Sequence, residues 1–324
     1  MKKVLVEKLR CVFCGSSKLK LLAELEDHYD IQRGELKCST CNTSYTIVNG
    51  VAYLYLPLDN ARALECDYYD VHISPAPDEP QNLDYGLGWS WQPALSHTDM
   101  LNFHFNRIFR HLDILVRGKQ VLNIGCGPGR EAEYLSCMQG ASVVGLDIAS
   151  NSVYAALQRG KRFGYSKVFD GVAGDMEILP FQDKSFDVVF ITTALHHTTN
   201  WRLVLREMIR VARQGIVIDE STNALVICLA VWLGFSSNYE EDASGNKVIR
   251  FSKEELEFEL KNLGVRECHI GRYWLNTSGR FRWFSIGKIR MRRLMRLFES
   301  EALLRVQSKF LDRIGNRLTV YAKL

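Results

Sequence analysis

The 324-residue sequence lacks an apolar run long enough to cross a membrane as a helix. Its longest run, "ALVICLAVWLGF", has 12 residues (224–235), whereas a spanning helix needs about 20. We therefore predict a buried or surface-docked helix there. The opening "MKKVLVEKLRCVFC" has the positive charge of a signal peptide but lacks the apolar stretch that would follow it. We expect a cytoplasmic protein.

The sequence also lacks the even cysteine count of a disulfide framework. It has nine cysteines, and four of them form two CxxC pairs, Cys11 with Cys14 and Cys38 with Cys41. Such pairs are typical of metal binding in a reducing compartment. Four thiolates complete a tetrahedral zinc site and leave no position open, so the metal is expected to be structural. The alternatives are iron in a four-thiolate site and a site that has lost its metal.

The residues around the second CxxC pair resemble a known module. "CSTCNTSYTIVNGVAYLYL" is similar to short zinc ribbons in which an aromatic residue, I-x-x-G and an apolar strand follow the second pair. Members of that family act as separate activating subunits of methyltransferases. A related ribbon precedes the catalytic domain of some bacterial rRNA guanine methyltransferases. The resemblance covers roughly residues 8–57, and we assign residues 1–57 to a small N-terminal zinc ribbon.

Proline is scarce, and three of the seven prolines lie within "PAPDEP" at 75–80. This cluster predicts a linker, and an amphipathic helical pattern follows it. We assign residues 58–117 to a linker with a helical lid segment. Tyr85, Trp89 and His97 are its candidate substrate-binding residues, because aromatic side chains often cover a ligand. The histidine also fits a solvated stripe on the helix.

The stretch "VLNIGCGPGR" (121–130) lacks the third glycine of the dinucleotide fingerprint. Gly125, Gly127 and Gly129 form G-x-G-x-G after a buried strand, and Arg130 stands where that fingerprint needs a glycine. Next comes a strand that ends in Asp147, whose carboxylate suits the ribose hydroxyls of NAD or of S-adenosylmethionine. A third strand leads to Asp175 and Met176, which suit the amino group and ring of adenine.

The order and spacing of these motifs over residues 118–221 strongly resemble the class I S-adenosylmethionine-dependent methyltransferases, most closely the branch with the quinone-biosynthesis enzymes. The resemblance implies a Rossmann-like α/β fold, with a mainly parallel sheet and an antiparallel last strand, over residues 118–324. It implies that S-adenosylmethionine is the cofactor. The implied cofactor-binding residues are Asn123, Gly125, Cys126, Gly127, Gly129, Asp147, Ile148, Asp175, Met176 and Thr192. Asn123 departs from the acid that the family commonly has there.

Two adjacent histidines follow the fourth strand of this domain in "TTALHHTTN". His197 and His196 are the catalytic candidates, because a histidine there can remove a proton from a hydroxyl or enol. We place His197 first as the base. The alternative is that one of the two only packs in the loop.

Two motifs that the sequence lacks restrict the class of methyl acceptor. The fourth-strand loop lacks the N/D-P-P-aromatic motif of exocyclic-amine methylation and a Pro-Cys pair for attack on a pyrimidine. These absences favour a small-molecule, lipid or glycan acceptor, and we expect O-methylation.

The C-terminal part is basic, with thirteen Lys/Arg against three Asp/Glu from Gly271 to Leu324. A basic insertion at about 274–315 interrupts the domain, and its residues 280–310 are expected to contact an anionic membrane or RNA. Because of this positive charge, an RNA methyltransferase is one alternative function. A non-catalytic scaffold that binds S-adenosylmethionine is the other. The sequence indicates no oligomeric state.

Overall fold

The computed structural model describes residues 1–27, 30–72, 116–222, 249–273 and 317–324. The substrate-binding candidates Tyr85, Trp89 and His97 lie outside the described residues, as do the apolar run 224–235 and the whole basic insertion 274–315. Their assignments, the contact through 280–310 and the domain division at 57 and 117 stay predictions.

The described chain forms eleven strands and six α-helices. The strands are β1 (Leu19–Asp27), β2 (Asp30–Cys38), β3 (Ser44–Val48), β4 (Val51–Leu54), β5 (Gln120–Ile124), β6 (Ser142–Asp147), β7 (Phe169–Gly174), β8 (Phe186–Thr192), β9 (Ala212–Ser221), β10 (Glu267–Tyr273) and β11 (Arg317–Lys323). The helices are α1 (Lys3–Val6), α2 (Asn60–His72), α3 (Arg130–Glu133), which continues as a π-helical turn (Tyr134–Met138), α4 (Ser150–Arg162), α5 (Trp201–Val211) and α6 (Lys253–Asn262).

All strands join one sheet in the order β1-β2-β3-β4-β7-β6-β5-β8-β9-β11-β10. From β7 to β9 neighbouring strands are parallel, and β11 pairs antiparallel with both β9 and β10. Every residue of β7 is buried, as expected for a parallel strand covered on both faces. The predicted Rossmann-like sheet with an antiparallel last strand is confirmed.

The ribbon continues the methyltransferase-like sheet at its β7 edge. Strand β4 pairs in parallel with β7, and its Ala52 lies opposite Val172 and its Leu54 opposite Gly174. The backbone groups on that edge of β7 are therefore bonded by the ribbon rather than by water. The ribbon and the larger domain are one continuous hydrogen-bonded layer.

A second contact holds the first turn of the ribbon to the loop after β7. Leu9 forms an isolated antiparallel bridge with Phe181, and the N–H of Arg10 donates to the carbonyl of Pro180 at 2.9 Å. The guanidinium of Arg10 pairs with Glu207 of α5 at 3.0 Å. Leu9 and Phe181 are fully buried in the same apolar cluster, so the ribbon shares the core of the larger domain.

The helices follow their sequence patterns. Ser252 caps α6 by accepting from the N–H of Glu255 at 3.1 Å, and the Glu255 carboxylate accepts from the N–H of Ser252, so the two residues form a capping box. Gly264 follows this helix with φ of +84°, the left-handed geometry that favours glycine. Helix α5 buries one face, consisting of Trp201, Val204, Leu205, Met208 and Val211.

Among the residues that the structure describes, no helix is long and apolar enough to span a membrane.

Candidate active site and zinc centre

The glycine loop leaves β5 at the carboxyl edge of the sheet. Gly125, Gly127 and Gly129 have φ angles of +62°, +48° and +83°, which side chains rarely adopt. A Cβ on Gly125 would lie 2.3 Å from the Cβ of Ala194, and one on Gly129 would lie 2.8 Å from the Cβ of Ala156. No atom lies within 4 Å of such a Cβ on Gly127. The first and third glycines therefore permit close packing, and the second exposes backbone to a ligand.

Asp147 ends β6 beside this loop. Its Oδ2 accepts from the N–H of Gly127 at 2.8 Å, and its Oδ1 accepts from the N–H of Ala149 at 3.0 Å. Desolvation raises the pKa of Asp147 to about 6, although these two N–H groups and His197 act in the opposite direction. Each oxygen retains a lone pair, so the carboxylate can accept hydroxyl groups of a nucleoside.

Two further residues near the loop, Asn123 and Cys126, differ in whether their side chains can bind a cofactor. Asn123 is fully buried in β5, and neither its Oδ1 nor its Nδ2 has a hydrogen-bond partner among the described residues. Such an amide fits a bound polar group that accepts and donates. Cys126, in contrast, is buried with its thiol 2.8 Å from the position of a Cβ on Gly145, and its N–H donates to Leu146. Its side chain packs the loop onto β6.

The predicted adenine-binding residues follow β7. Asp175 is buried, accepts from the N–H of Glu177 at 2.8 Å and forms an ion pair with Arg62. Burial raises the pKa of Asp175, against the effect of Glu177 N–H and Arg62. Met176 is half-buried and packs against the main core. The carboxylate predicted to accept from adenine therefore has a guanidinium partner in this structure.

The last two predicted cofactor residues have protein partners. The carbonyl of Ile148 accepts from the thiol of Cys66 at 3.5 Å. The hydroxyl of Thr192 donates to Asp219 at 3.3 Å within the sheet. Ile148 therefore contacts α2, and Thr192 is bonded to the neighbouring strand β9.

Helix α2 covers this edge of the sheet, a position that the sequence pattern did not indicate. Helix α2 turns one polar stripe towards the strand ends, with i, i+3, i+4, i+7 and i+8 spacing. The stripe consists of Arg62, Glu65, Cys66, Tyr69 and Asp70. The periodicity of "RALECDYYD" could have indicated this helix. It could not have indicated what the helix contacts, because a polar helix face is usually solvated.

The stripe contacts the chain that follows three parallel strands, namely the loops after β7 and β8 and the first turn of α4 after β6. Arg62 pairs with Asp175 after β7. Asp70 accepts from the N–H of Asn151 at 2.8 Å, after β6, and its carbonyl accepts from the Asn151 amide at 2.8 Å. Glu65 reaches the loop after β8. Helix α2 is therefore a wall of the site.

His196 is held by the sheet. Its Nδ1 lies 2.8 Å from Oε2 of the fully buried Glu220, whose Oε1 accepts from the N–H groups of Ala194 at 2.7 Å and Leu195 at 2.6 Å. Burial acts to raise the pKa of Glu220, but His196, Arg317 and the Leu195 N–H outweigh it and lower the pKa. The His196–Glu220 pair therefore anchors the loop.

His197 is held from the other side, by α2. Its Nδ1 lies 3.0 Å from Oε1 of Glu65, and both side chains are largely buried, with 14% and 8% exposed. The ring of Tyr69 meets it edge-on at 6.0 Å, and the ring of His196 lies 4.0 Å away, centroid to centroid. The two histidines are adjacent but have different partners: His196 joins the loop to β9, and His197 joins it to α2.

The rest of this loop is strongly constrained. Thr193 has a φ of +51°, which is strained for a β-branched residue. Its N–H donates to the carbonyl of Asp219 at 2.9 Å, and Arg317 donates to its hydroxyl at 2.8 Å. Further along, Glu177 accepts from the hydroxyl of Thr198 at 2.5 Å. Both ends of the loop are therefore fixed by buried charged groups.

The four paired cysteines converge at the tip of the ribbon. All four Sγ atoms lie within 4.8 Å of one another, and the Cys11–Cys41 and Cys14–Cys38 distances are 3.6 Å. Tetrahedral zinc with Zn–S bonds of about 2.3 Å requires S–S distances of about 3.8 Å. The thiols therefore fit structural zinc, and Tyr45 OH lies 3.0 Å from the Cys11 sulfur as an outer hydrogen bond.

The two cysteine turns have matching backbone geometry. Gly15 and Asn42, each directly after a CxxC pair, have φ of +75° and +62°. The N–H of Gly15 donates to Cys11 O at 2.8 Å, and that of Asn42 donates to Cys38 O at 3.0 Å. The chain thus presents two metal-binding turns with the same backbone geometry.

Family models match both parts of the chain. The family described as "Methyltransferase domain" matches residues 122–218, and the family described as "Trm112p-like protein" matches residues 2–50. The first range spans the glycine loop, Asp147, Asp175 and both histidines. The second contains all four cysteines.

Three curated relatives are similar over the methyltransferase region. A phthiotriol/phenolphthiotriol dimycocerosates methyltransferase of Mycobacterium tuberculosis is 36% identical over 45% of this chain and 50% of the relative. The chain therefore spans half the length of that relative. The Mycobacterium ulcerans enzyme 1 of the same name is 30% identical over 62% of this chain and 68% of the relative. Squalene methyltransferase 1 of Botryococcus braunii is 30% identical over 40% of this chain and 36% of the relative.

Among solved structures, phosphoethanolamine N-methyltransferase 2 of Haemonchus contortus, in complex with S-adenosylhomocysteine, superposes with a TM-score of 0.50 at 15% identity, over 82% of this chain and 60% of that one. This likeness concerns the fold. With the strand order, the glycine loop and the M. ulcerans relative, it leads to one assignment: the chain belongs to the S-adenosylmethionine-dependent methyltransferase family and carries a Trm112p-like zinc ribbon in front of the methyltransferase domain.

Proposed function

We propose that this protein transfers a methyl group from S-adenosylmethionine to an oxygen atom of a lipid-type acceptor, with His197 as the general base. The observation that carries the proposal is the Glu65–His197 pair, with 3.0 Å between Nδ1 and Oε1, at the strand edge that holds Asp147 and the glycine loop. The names of the mycobacterial and algal relatives support a lipid or terpenoid acceptor over a small polar one.

Each cofactor residue has a separate task in this proposal. Asp147 accepts the ribose hydroxyls, Asn123 bonds the amino-acid end of the cofactor, and Gly127 lets its backbone approach. When bound, S-adenosylmethionine supplies a sulfonium methyl group that a nucleophile can displace. Asp175 accepts from the adenine amino group after it exchanges part of its contact with Arg62.

The proton of the acceptor goes to His197. Nδ1 of its ring lies 3.0 Å from Oε1 of Glu65, and with the ring proton on Nδ1 the neutral ring accepts at Nε2. Removing the hydroxyl proton raises the nucleophilicity of the oxygen as its bond to the methyl carbon forms. His196 keeps the loop in place through Glu220 and takes no proton from the acceptor.

The test is transfer of a ¹³C-labelled methyl group into an extract separated into organic, small-molecule, glycan and RNA fractions. We expect label in the organic fraction, with the ¹³C shift of a methyl on oxygen. A His197→Ala variant should lose about 10²–10⁴-fold in rate, while His269→Ala, which changes an exposed histidine on β10, should retain full activity.

Other outcomes would replace the proposal. A methyl group on carbon would remove the need for a base and would refute the role of His197. Label in RNA would favour an RNA methyltransferase that uses the predicted basic surface at 280–310. Cofactor binding without label in any fraction would favour the non-catalytic scaffold.

A further inference from the structure

A histidine that removes a proton must present one defined nitrogen to the acceptor. A neutral imidazole exists as two tautomers, and a hydrogen bond at one nitrogen selects between them. Nδ1 of His197 lies 3.0 Å from Oε1 of Glu65, an ion-pair contact that favours a proton on Nδ1 over one on Nε2. The selection comes from α2, which precedes the methyltransferase family match at 122–218.

Among the described residues, charged and aromatic groups face His197 from three directions. Glu65 and Tyr69 face it from α2, His196 stacks on it from its own loop, and Asp147 interacts with it from the end of β6. Glu65 and His197 act on Asp147 in opposite directions, Glu65 raising and His197 lowering its pKa. The histidine, Glu65 and the cofactor-binding acid are therefore one electrostatic group.

The neighbouring pair shows what a purely structural arrangement looks like. Glu220 lies within the sheet at zero exposure and bonds two backbone N–H groups as well as His196. Glu65 belongs to a separate helix whose other contacts, such as Asp70 with Asn151, end on the cofactor-side loops. The placement of Glu65 thus depends on the docking of α2 over the cleft.

We infer that Glu65 is a positioning residue for the methyl-transfer reaction: it fixes the tautomer and orientation of His197, and it does so only while α2 is docked against the strand ends. This inference rests on the proposed function, and it adds Glu65 as the residue that prepares His197 to remove a proton. His197 is therefore in the tautomer and orientation that can accept a proton only when α2 is docked over the cofactor-binding edge of the sheet.

The first test needs neither acceptor nor turnover. The full-length protein, with ¹³C-labelled histidine rings, is titrated by NMR, and the His197 signal is assigned by its loss in His197→Ala. Glu65→Gln keeps the shape of the side chain and removes its charge. We expect the pKa of His197 to fall by about 1–3 pH units, as for loss of an opposite charge at this distance. Glu65→Asp, which keeps the charge, should restore part of the difference.

The matched control is Glu267→Gln. Glu267 pairs with His269 at 3.3 Å, and both side chains are exposed on β10, so this variant should leave the His197 titration unchanged. A His197 titration that is the same in wild type and Glu65→Gln, with unchanged thermal stability, would overturn the inference. So would an equal response of His197 to the Glu267→Gln substitution.

Turnover separates this inference from the proposed function. With the labelled-methyl assay, Glu65→Gln should lower kcat at least about tenfold, up to the 10²–10⁴-fold contribution of a general base, and leave KM for S-adenosylmethionine within about twofold. If wild-type protein transfers no methyl group to oxygen but His197 still responds to Glu65, the proposed function fails and the pairing stands. If wild type is active and Glu65→Gln is equally active, only the inference fails.

Discussion

Replacing Asp147 by asparagine isolates the contribution of one carboxylate to cofactor binding. Both oxygens of Asp147 already accept backbone hydrogen bonds, from Gly127 at 2.8 Å and from Ala149 at 3.0 Å. Asparagine has one oxygen and one NH₂ group, so the NH₂ must face one of these two N–H donors. The substitution therefore disturbs the glycine loop and removes the charge that the ribose hydroxyls are expected to meet.

The magnitude follows from these contacts. A hydrogen bond to a charged group contributes about 1.5–3 kcal/mol, so losing one lowers the affinity for S-adenosylhomocysteine roughly 10- to 150-fold. The affinity for S-adenosylhomocysteine should decrease as the pH falls. The ribose hydroxyls bind the ionised carboxylate, and the pKa of Asp147 is about 6 without ligand. Affinity should therefore be full above pH 7 and fall roughly tenfold by pH 5 in the wild type.

The assay is isothermal titration calorimetry with S-adenosylhomocysteine from pH 5 to pH 7.5. Asp147→Asn should show weaker binding and a smaller decline at low pH. Asp187→Asn is the matched control, because Asp187 also accepts a backbone N–H, from Gln120 at 2.8 Å, but at the opposite end of the sheet. Equal affinity of the Asp147 variant and wild type, or a wild-type affinity that does not change with pH, would refute the reasoning.

Two further predictions concern the ribbon. Metal analysis should find about one zinc per chain. Chelation or Cys14→Ser should lower the unfolding temperature of the whole protein, because β4 is part of the main sheet. A metal-free protein of equal stability would contradict this prediction. Arg10→Ala, which removes the half-buried pair with Glu207, should lower the free energy of unfolding in urea by about 1–3 kcal/mol. Lys261→Ala, at an exposed pair, should change it little, and equal effects of both variants would contradict a docking role for Arg10.

The glycine loop and the cysteine pairs were predictable because their geometry is local. Gly125, Gly127 and Gly129 are required by backbone angles within five residues of chain, and the structure gives all three positive φ. Cys11 and Cys14 lie on one tight turn for the same reason. The order of strands and acids along the chain likewise indicated the parallel sheet, since consecutive parallel strands place their carboxyl ends on one edge.

Long-range pairing could not be predicted in the same way. The sequence indicated a ribbon but not that β4 would pair with β7, more than a hundred residues later, because edge hydrogen bonds are made by the backbone and leave little trace in side-chain types. It also indicated two adjacent histidines without distinguishing them. Their difference lies in Glu220, from β9, and Glu65, from α2.

Sequence alone determined the chemistry that neighbouring residues can carry: the metal-binding thiols, the cofactor loop, the acids at the strand ends and a histidine after the fourth methyltransferase strand. Only the tertiary structure decided which groups act together. It joined the ribbon to the sheet, paired Arg62 with Asp175 and placed Glu65 on His197. The physical reason is that such pairs depend on where distant elements dock, and docking is set by the whole buried core rather than by residues near the site.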